Sequence, residues 1–383
     1  MTAGFDPAAA TAAWLARVPA AAQAAAERHA QGETLAWGLG LVGPAVIAWA
    51  LVRSGVADRV WRWGAQRGPR TAELVVVGLV AIVSCVWGGI ERAVAGSGWP
   101  PIGVFCAGVF AQGLVFAGAL LLLNLAGRRP RLVFGAVVAG LSFGLVFGPT
   151  LFDELYPPSL QPAPARVAEA AREVARASGV AAGDVYVTPY APGEGDVVGL
   201  IRSPHILLTP AGASASLSEV RAGLGHVLGH YRARDGLGWA LVLAALGVGG
   251  VVFVISGLER LGRLSPLTQG LYAFGQEADG LEEKAGIRMY DARSLPILWA
   301  LAAAWIALAH PAAFAWDRAA NLRADRFSLE YTREPDGLVA GLIRENGLQP
   351  VDPPWFERWI VMSHPPLKDR ISQAMRWKAD HIR

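Results

Sequence analysis

The chain has 383 residues, 53% of them hydrophobic and only 17% charged, with a mean hydropathy of +0.36. Soluble domains carry about 25% charged residues, so this composition excludes an ordinary soluble protein and points to an integral membrane protein. The net charge is only +3, Lys284, Lys368 and Lys378 are the only lysines, and no basic cluster carries interleaved aromatics. Nucleic acid is therefore not an expected partner. The arginine bias suits a GC-rich bacterial genome, and with it a multi-pass protein of a bacterial inner membrane.

Residues 7–26 are alanine-rich and contain Arg17 and Pro19, which suits a surface helix better than the apolar core of a signal peptide. Four apolar runs follow, at about 34–52, 74–90, 99–127 and 132–152, each reaching or approaching the length of a membrane span. Cys85 and Cys106 lie inside them and read as small buried hydrophobes. After residue 152 the character changes. Pro157, Pro158, Pro162 and Pro164 mark a linker. The stretch 165–178 then reads as an amphipathic helix with Val167, Ala170, Ala171 and Val174 on one side, stopped by Gly179. Strand-like segments at 184–189, 197–201 and 205–209 are separated by turn residues.

A helix begins after Ser216, an N-cap with Glu219 three residues on. Two further apolar runs, 236–258 and 294–316, follow it. The second contains Pro311, which is expected to kink or end it, and 336–345 reads as a helix in the tail. The expected fold is mainly α: a polytopic helical membrane protein of about six spans. Four spans occupy 1–152, and residues 153–383 form a small α+β domain that includes the last two.

Chemistry concentrates in the helix after Ser216. His226 and His230 are spaced i, i+4, which puts both imidazoles on one helix face about one turn apart. That is how a helix offers two nitrogens to one zinc ion. In the H-E-x-x-H motif of zinc proteases, the residue after the first histidine is a glutamate that takes a proton from the metal-bound water. Here it is Val227, which has no proton chemistry.

The order of the parts resembles the integral-membrane zinc metalloproteases that include the type 1 CAAX prenyl protease and, more distantly, HtpX. The resemblance rests on four elements in the same order. They are Pro149-Thr150-Leu151-Phe152-Asp153, the histidine helix, Asn321-Leu322-Arg323-Ala324-Asp325-Arg326-Phe327, and Ser363-His364-Pro365 with Arg370-Ile371. It covers about residues 149–375.

The resemblance implies a zincin-like domain in which His226 and His230 hold zinc and Asp325 steadies a ligand histidine. It places His364 and Arg370 at the developing oxyanion. It also marks departures. The third-ligand position holds Asn321, a neutral amide and a poorer partner for a divalent ion than a carboxylate. An Asn-Ala pair of the substrate-aligning strand is replaced by Glu194 and Gly195. Asp325, one turn beyond Asn321, is the nearest substitute ligand. His226, His230, Asn321 and Asp325 are expected to converge in space. The expectation is a catalytically impaired homologue, with zinc loosely held, that sits among membrane lipid and binds hydrophobic or lipidated peptides. The alternative is an active zinc endopeptidase with a non-standard base.

Overall fold

The computed structural model describes residues 5–125, 129–155, 160–180, 183–189, 195–199, 204–264, 292–345 and 349–382. Glu194, much of the 259–293 connection and the first part of the proline-rich linker, 156–159, lie outside them. Among the described residues, six helices are long and apolar enough to cross a membrane. The first is reached through α1 (Pro7–Leu15), which Asp6 caps by accepting from the Ala8 amide at 2.8 Å. The expected surface helix over 7–26 is thus two pieces. The chain breaks before Pro19, and α2 (Ala20–Arg53) carries the second piece directly into the first apolar run.

The short α3 (Val56–Ala65) leads to the next three long helices, α4 (Pro69–Val94), α5 (Ile102–Leu125) and α6 (Pro130–Leu155). Their large apolar side chains are widely exposed, among them Ile102, Phe110, Leu121, Leu141 and Leu145, as lipid-facing surfaces require. Cys106 is exposed on α5 and Cys85 half-buried on α4, so neither is the core residue expected from sequence.

A four-stranded sheet and three helices follow. Strand β1 (Gln161–Pro162) precedes α7 (Ala165–Ser178). Strands β2 (Val185–Val187), β3 (Gly195–Val198) and β4 (His205–Leu208) complete the sheet in the order β1-β2-β4-β3. The β2–β4 pair is parallel, while β1–β2 and β3–β4 are antiparallel, so β3 forms an edge. Helix α7 ends as its sequence predicts: Gly179 takes the left-handed conformation, φ 67°, open to glycine without a Cβ penalty. The short α8 (Pro210–Ser214) leads into the histidine helix α9 (Leu217–Ala233). Val167, Ala170, Ala171 and Val174 of α7 pack with Val185, Ile206 and Leu208 of the sheet and Val220, Leu224 and Leu228 of α9.

The remaining spans are α10 (Asp235–Leu264) and α11 (Leu295–Thr332), and the tail forms α12 (Pro335–Glu345), α13 (Trp355–Ile360) and α14 (Leu367–His381). Pro311 does not end α11, which is a single 38-residue helix. Pro44 in α2 and Pro149 in α6 are likewise interior. An apolar surrounding offers freed backbone groups no water, so remaining helical is the best available state on both sides of each proline.

The chain divides into two compact units that interleave along the sequence. One comprises 1–31, 142–243 and 312–383, the other 32–141 and 244–311. These units differ from a sequential division at residue 152 because their boundaries fall inside α2, α6, α10 and α11. The second unit is built on Val76, Val80, Phe116, Leu120 and Leu295. The first holds the sheet core and a second cluster, in which Ala222 and Leu329 meet Leu338, Val339, Ile371 and Met375.

Within the first unit, α9 and α11 make their closest approach at two glycines. A Cβ on Gly225 would lie 2.8 Å from Ser328 Oγ and 2.9 Å from Ser328 Cα, and one on Gly229 would lie 3.1 Å from Ala324 Cα. The contact is fastened by Ser328 Oγ, which donates to the carbonyl of Ala222 at 2.7 Å. At 100° per residue the glycine face adjoins the histidine face, so this approach sets α11 beside the imidazoles. Gly225→Ala should lower stability by about 1–3 kcal/mol through overpacking, although alanine gains about 1 kcal/mol in helix propensity. Gly223→Ala, whose Cβ meets nothing within 4 Å, should be neutral or stabilising. Thermal unfolding of both variants in detergent checks the pair, and equal midpoints would contradict the tight crossing.

Candidate active site

Helix α9 starts where its sequence says. Ser216 Oγ accepts from the Glu219 amide at 3.3 Å and donates to the Glu219 carboxylate at 2.7 Å. Two turns on, the imidazoles of His226 and His230 stand edge to face, centroids 4.7 Å apart, with their Nε2 atoms separated by 3.1 Å.

The other nitrogen of each ring faces a carboxylate. His226 Nδ1 lies 2.8 Å from Asp325 Oδ1, and His230 Nδ1 lies 2.9 Å from Asp235 Oδ2. Each carboxylate is held in turn by an arginine. Arg370 donates through Nε and Nη2 to both oxygens of Asp325, at 2.6 and 2.7 Å, and Arg323 Nη2 donates to Asp235 Oδ1 at 2.8 Å. Two His–Asp–Arg chains therefore converge on the space between the Nε2 atoms. Both carboxylates are buried, and the two chains differ in their arginines: the Arg370 side chain is 11% exposed and that of Arg323 46%.

These partners fix the tautomers. A neutral imidazole whose Nδ1 faces a carboxylate carries its proton there, which leaves both Nε2 lone pairs pointing at one another. Two facing lone pairs at 3.1 Å repel unless a cation lies between them. Two nitrogens of a tetrahedral zinc, each about 2.0–2.1 Å from the metal, stand about 3.4 Å apart. The nitrogen half of the site thus fits a zinc ion, and the carboxylates behind it are the orienting partners such histidines use.

The anionic half does not fit. Asn321 is buried on α11 between Asp317 and Asp325, one turn from each, and its Nδ2 donates to the Asp317 carbonyl at 3.0 Å. Asp325 cannot serve as a substitute ligand where it stands, because both of its oxygens are engaged. Glu219, two turns before His226 on the same helix, is bound by Ser216 and by Arg344 at 2.8 Å, so it is not free to act as a base. No group of three or more His, Cys, Asp or Glu among the described residues is arranged to hold a metal.

His364 lies in the same neighbourhood, close enough to feel the charges of His230, Arg370 and Asp325, with Nδ1 3.0 Å from Ser363 Oγ. Arg370, which the resemblance places at an oxyanion, has its two closest contacts on Asp325. Val227 is half-buried on α9. Gly195 opens the edge strand β3, antiparallel to β4.

Three acidic or basic groups of this site carry no signal in the sequence pattern. Asp235 follows Arg234, whose backbone is left-handed at φ 56°, so the kink that swings Asp235 back onto His230 is invisible in a hydropathy trace. Arg323 is found only through Asp235. Asp317 reads as the first charge after an apolar run, yet it lies close enough to His230 and Asp235 to feel both.

Residues 198–378 match the profile of peptidase family M48. This segment belongs to that family. The fold of the chain is similar to the crystal structure of S. mikatae Ste24p, with a TM-score of 0.55, 12% sequence identity, and 96% of this chain and 98% of that chain covered. No curated protein matches the chain. The chain is thus a multi-pass membrane protein of the Ste24p-like fold carrying an M48 domain, and the histidine helix falls inside the matched segment.

Two predictions follow from the geometry. Arg370→Met should cost about 3–5 kcal/mol, because it strands a buried carboxylate. Pairing it with Asp325→Asn should recover part of that loss, a coupling that a double-mutant cycle measures; additive losses would deny the pair. Burial also holds the His226 imidazole down to about 4, against the pull of Asp325. A proton therefore binds the unfolded chain near pH 6.5 before it binds the folded one. Stability should fall as pH drops from about 6.5 towards 4, and His364, lowered by burial and then by Arg370, acts in the same direction. An unfolding midpoint level from pH 7 to 4.5 would contradict a neutral His226.

Proposed function

We propose that this M48-family membrane protein is catalytically impaired: it keeps the frame of a zinc peptidase site and the neighbouring edge strand, binds hydrophobic or lipidated peptides there, and holds zinc loosely. One observation carries the reading. The two histidine nitrogens converge, but the place of the general base is Val227 and the place of an anionic ligand is Asn321, whose amide is bonded to Asp317. With neutral imidazoles each His–Asp–Arg chain sums to zero charge, so a divalent ion would meet two good nitrogens and no net negative charge. A positioned general base contributes typically about 10² to 10⁴-fold, and a valine contributes none of it.

A second reading is favoured by Asp317. It lies one turn before Asn321 and close to His230, so a change of rotamer would offer a carboxylate to a metal on the histidines. In that case the protein is a zinc endopeptidase with a displaced acid.

Metal analysis paired with a chelator-controlled peptide-cleavage assay separates the two. On the first reading the purified protein carries substoichiometric zinc and shows no chelator-sensitive cleavage. Val227→Glu alone changes little, and Val227→Glu with Asn321→Glu raises zinc occupancy, with a non-additive gain because the groups act as a unit. Stoichiometric zinc that is lost on Asp317→Asn, together with chelator-sensitive cleavage, would overturn the first reading in favour of the second.

A further inference from the structure

The segment 353–360, Pro-Pro-Trp-Phe-Glu-Arg-Trp-Ile, carries the densest group of exposed aromatic residues outside the candidate spans. Trp355 is 74% exposed, Trp359 54% and Phe356 39%. Helix α13 is short, but its geometry separates two faces: at 100° per residue, 355, 356 and 359 fall within one quadrant or little more, and Glu357 points away from them. Glu357 is buried, close enough to Glu27 for the two carboxylates to repel, and burial followed by that repulsion raises its pKa. The polar side of α13 is therefore turned into the protein and the aromatic side out of it. Buried aromatics would need no explanation, whereas two tryptophans exposed beside one another call for a surrounding that is not plain water.

The level of this face along the membrane is set by one arginine. Residues 294–316, which run from the residue before α11 into its middle, contain no Asp, Glu, Lys or Arg and are bracketed by Arg293 and Asp317. At 1.5 Å per residue they span about 34 Å, close to the roughly 30 Å of a hydrocarbon core, so Trp316–Arg318 marks where α11 leaves it. Arg318 Nη1 donates to the carbonyls of Arg358 and Met362, at 2.8 and 2.5 Å, and its guanidinium carbon lies 5.6 Å from the Trp359 ring. The arginine that ends the span thus staples α13 at the level of the membrane surface. Tryptophan is the residue suited to that zone, with an apolar ring and a polar N–H.

We propose that Trp355, Phe356 and Trp359 form an interfacial foot that inserts into the headgroup–acyl boundary of the bilayer, so that α13 and the Ser363–His364 segment that follows directly on Met362 are held at the lipid surface. The occupant of this face is lipid. The inference rests on the span boundary and the Arg318 staple, and it is independent of whether the site is catalytic.

The test uses the full chain in phosphatidylcholine nanodiscs. In a background of Cys85→Ala and Cys106→Ala, an environment-sensitive fluorophore is placed by Trp355→Cys and, in a separate protein, Trp359→Cys. Leu308→Cys, an exposed apolar position within α11, serves as the lipid reference, and Asp380→Cys, exposed near the end of α14, as the aqueous one. Lipids bearing a nitroxide at a shallow or a deep acyl carbon quench from within the bilayer, and iodide quenches from water. At 355 and 359 the shallow nitroxide should quench more than the deep one and several times more than at 380, with iodide quenching well below that at 380. At 308 the deep nitroxide should quench the more. Two positions keep the test decisive if one labelled protein does not fold. Iodide quenching equal to that at 380 with no nitroxide quenching at either position would overturn the proposal and leave the face to water or to a partner protein.

Discussion

Everything around the site hangs on the carboxylate of Asp325. It has no exposed surface, and an isolated charge in that position would cost several kcal/mol even after the protein relaxes. Three nitrogen–oxygen contacts offset the cost, one from His226 on α9 and two from Arg370 on α14. Three helices from separate parts of the chain must therefore be in place together or the charge is stranded. The glycines make this possible: a Cβ at 225 would force Ser328 or Thr332 to shift, and one at 229 would press on Ala324 and Phe327, straining the crossing that holds His226 and Asp325 at 2.8 Å. Removing one member of such a group harms folding far more than the group itself adds to stability. Its worth lies in fixing a single arrangement, in which both His226 and Arg370 have one place to point.

Features that depend on a few neighbouring residues were legible in the sequence. The Ser216 cap, the Gly179 stop of α7, the shared face of His226 and His230 and the six apolar runs each rest on local rules and hold in the structure. Features that depend on what surrounds the helix were not. Pro311 reads as a break, yet α11 continues through it, because the apolar surrounding removes the option of exposing backbone to water. Residues 7–26 read as one helix, because alanine composition outweighs Pro19 in any sequence window. Asp235 was missed because hydropathy assigns it to the start of a span. Only the left-handed turn at Arg234 reveals that the last turn of one helix and the first turn of the next face each other across the site. Asp325 was expected behind a histidine from the family resemblance, but its burial and its bidentate arginine are tertiary facts that no spacing encodes.

The site's chemistry follows from what each carboxylate is already doing. Asp325 and Asp235 orient imidazoles and are neutralised by arginines, so neither contributes net charge to the space between the Nε2 atoms. A preorganised pair of nitrogens lowers the entropy cost of binding a cation, but affinity for a divalent ion also needs anionic donors or their equivalent. Geometry and charge are thus supplied by different residues. The histidine geometry depends on packing and persists as long as α9, α11 and α14 are assembled. The side chain at 321 is a neutral asparagine that the packing accommodates, since its Nδ2 finds a partner in the Asp317 carbonyl one turn back.

The two His–Asp–Arg chains also differ in where their carboxylates stand along the sequence. Asp235 is the first residue of the 30-residue helix α10. There its negative charge is favoured by the exposed amides and dipole of the helix end, as well as by Arg323 and the His230 proton. Asp317 ends the uncharged stretch of α11. The first residue of α10 is thus tied directly to a ring of the candidate site. A shift of α10 along its axis by one turn, about 5.4 Å, would pull Asp235 out of reach of the 2.9 Å contact with His230 Nδ1. Both chains lie in the same unit, which holds His230, Asp235 and Arg323 as well as His226, Asp325 and Arg370. Of the two imidazoles, His226 is held by a fully buried carboxylate and His230 by one at the first residue of a long apolar helix, so the 3.1 Å separation between their Nε2 atoms depends on how the last turn of α9 leads into α10.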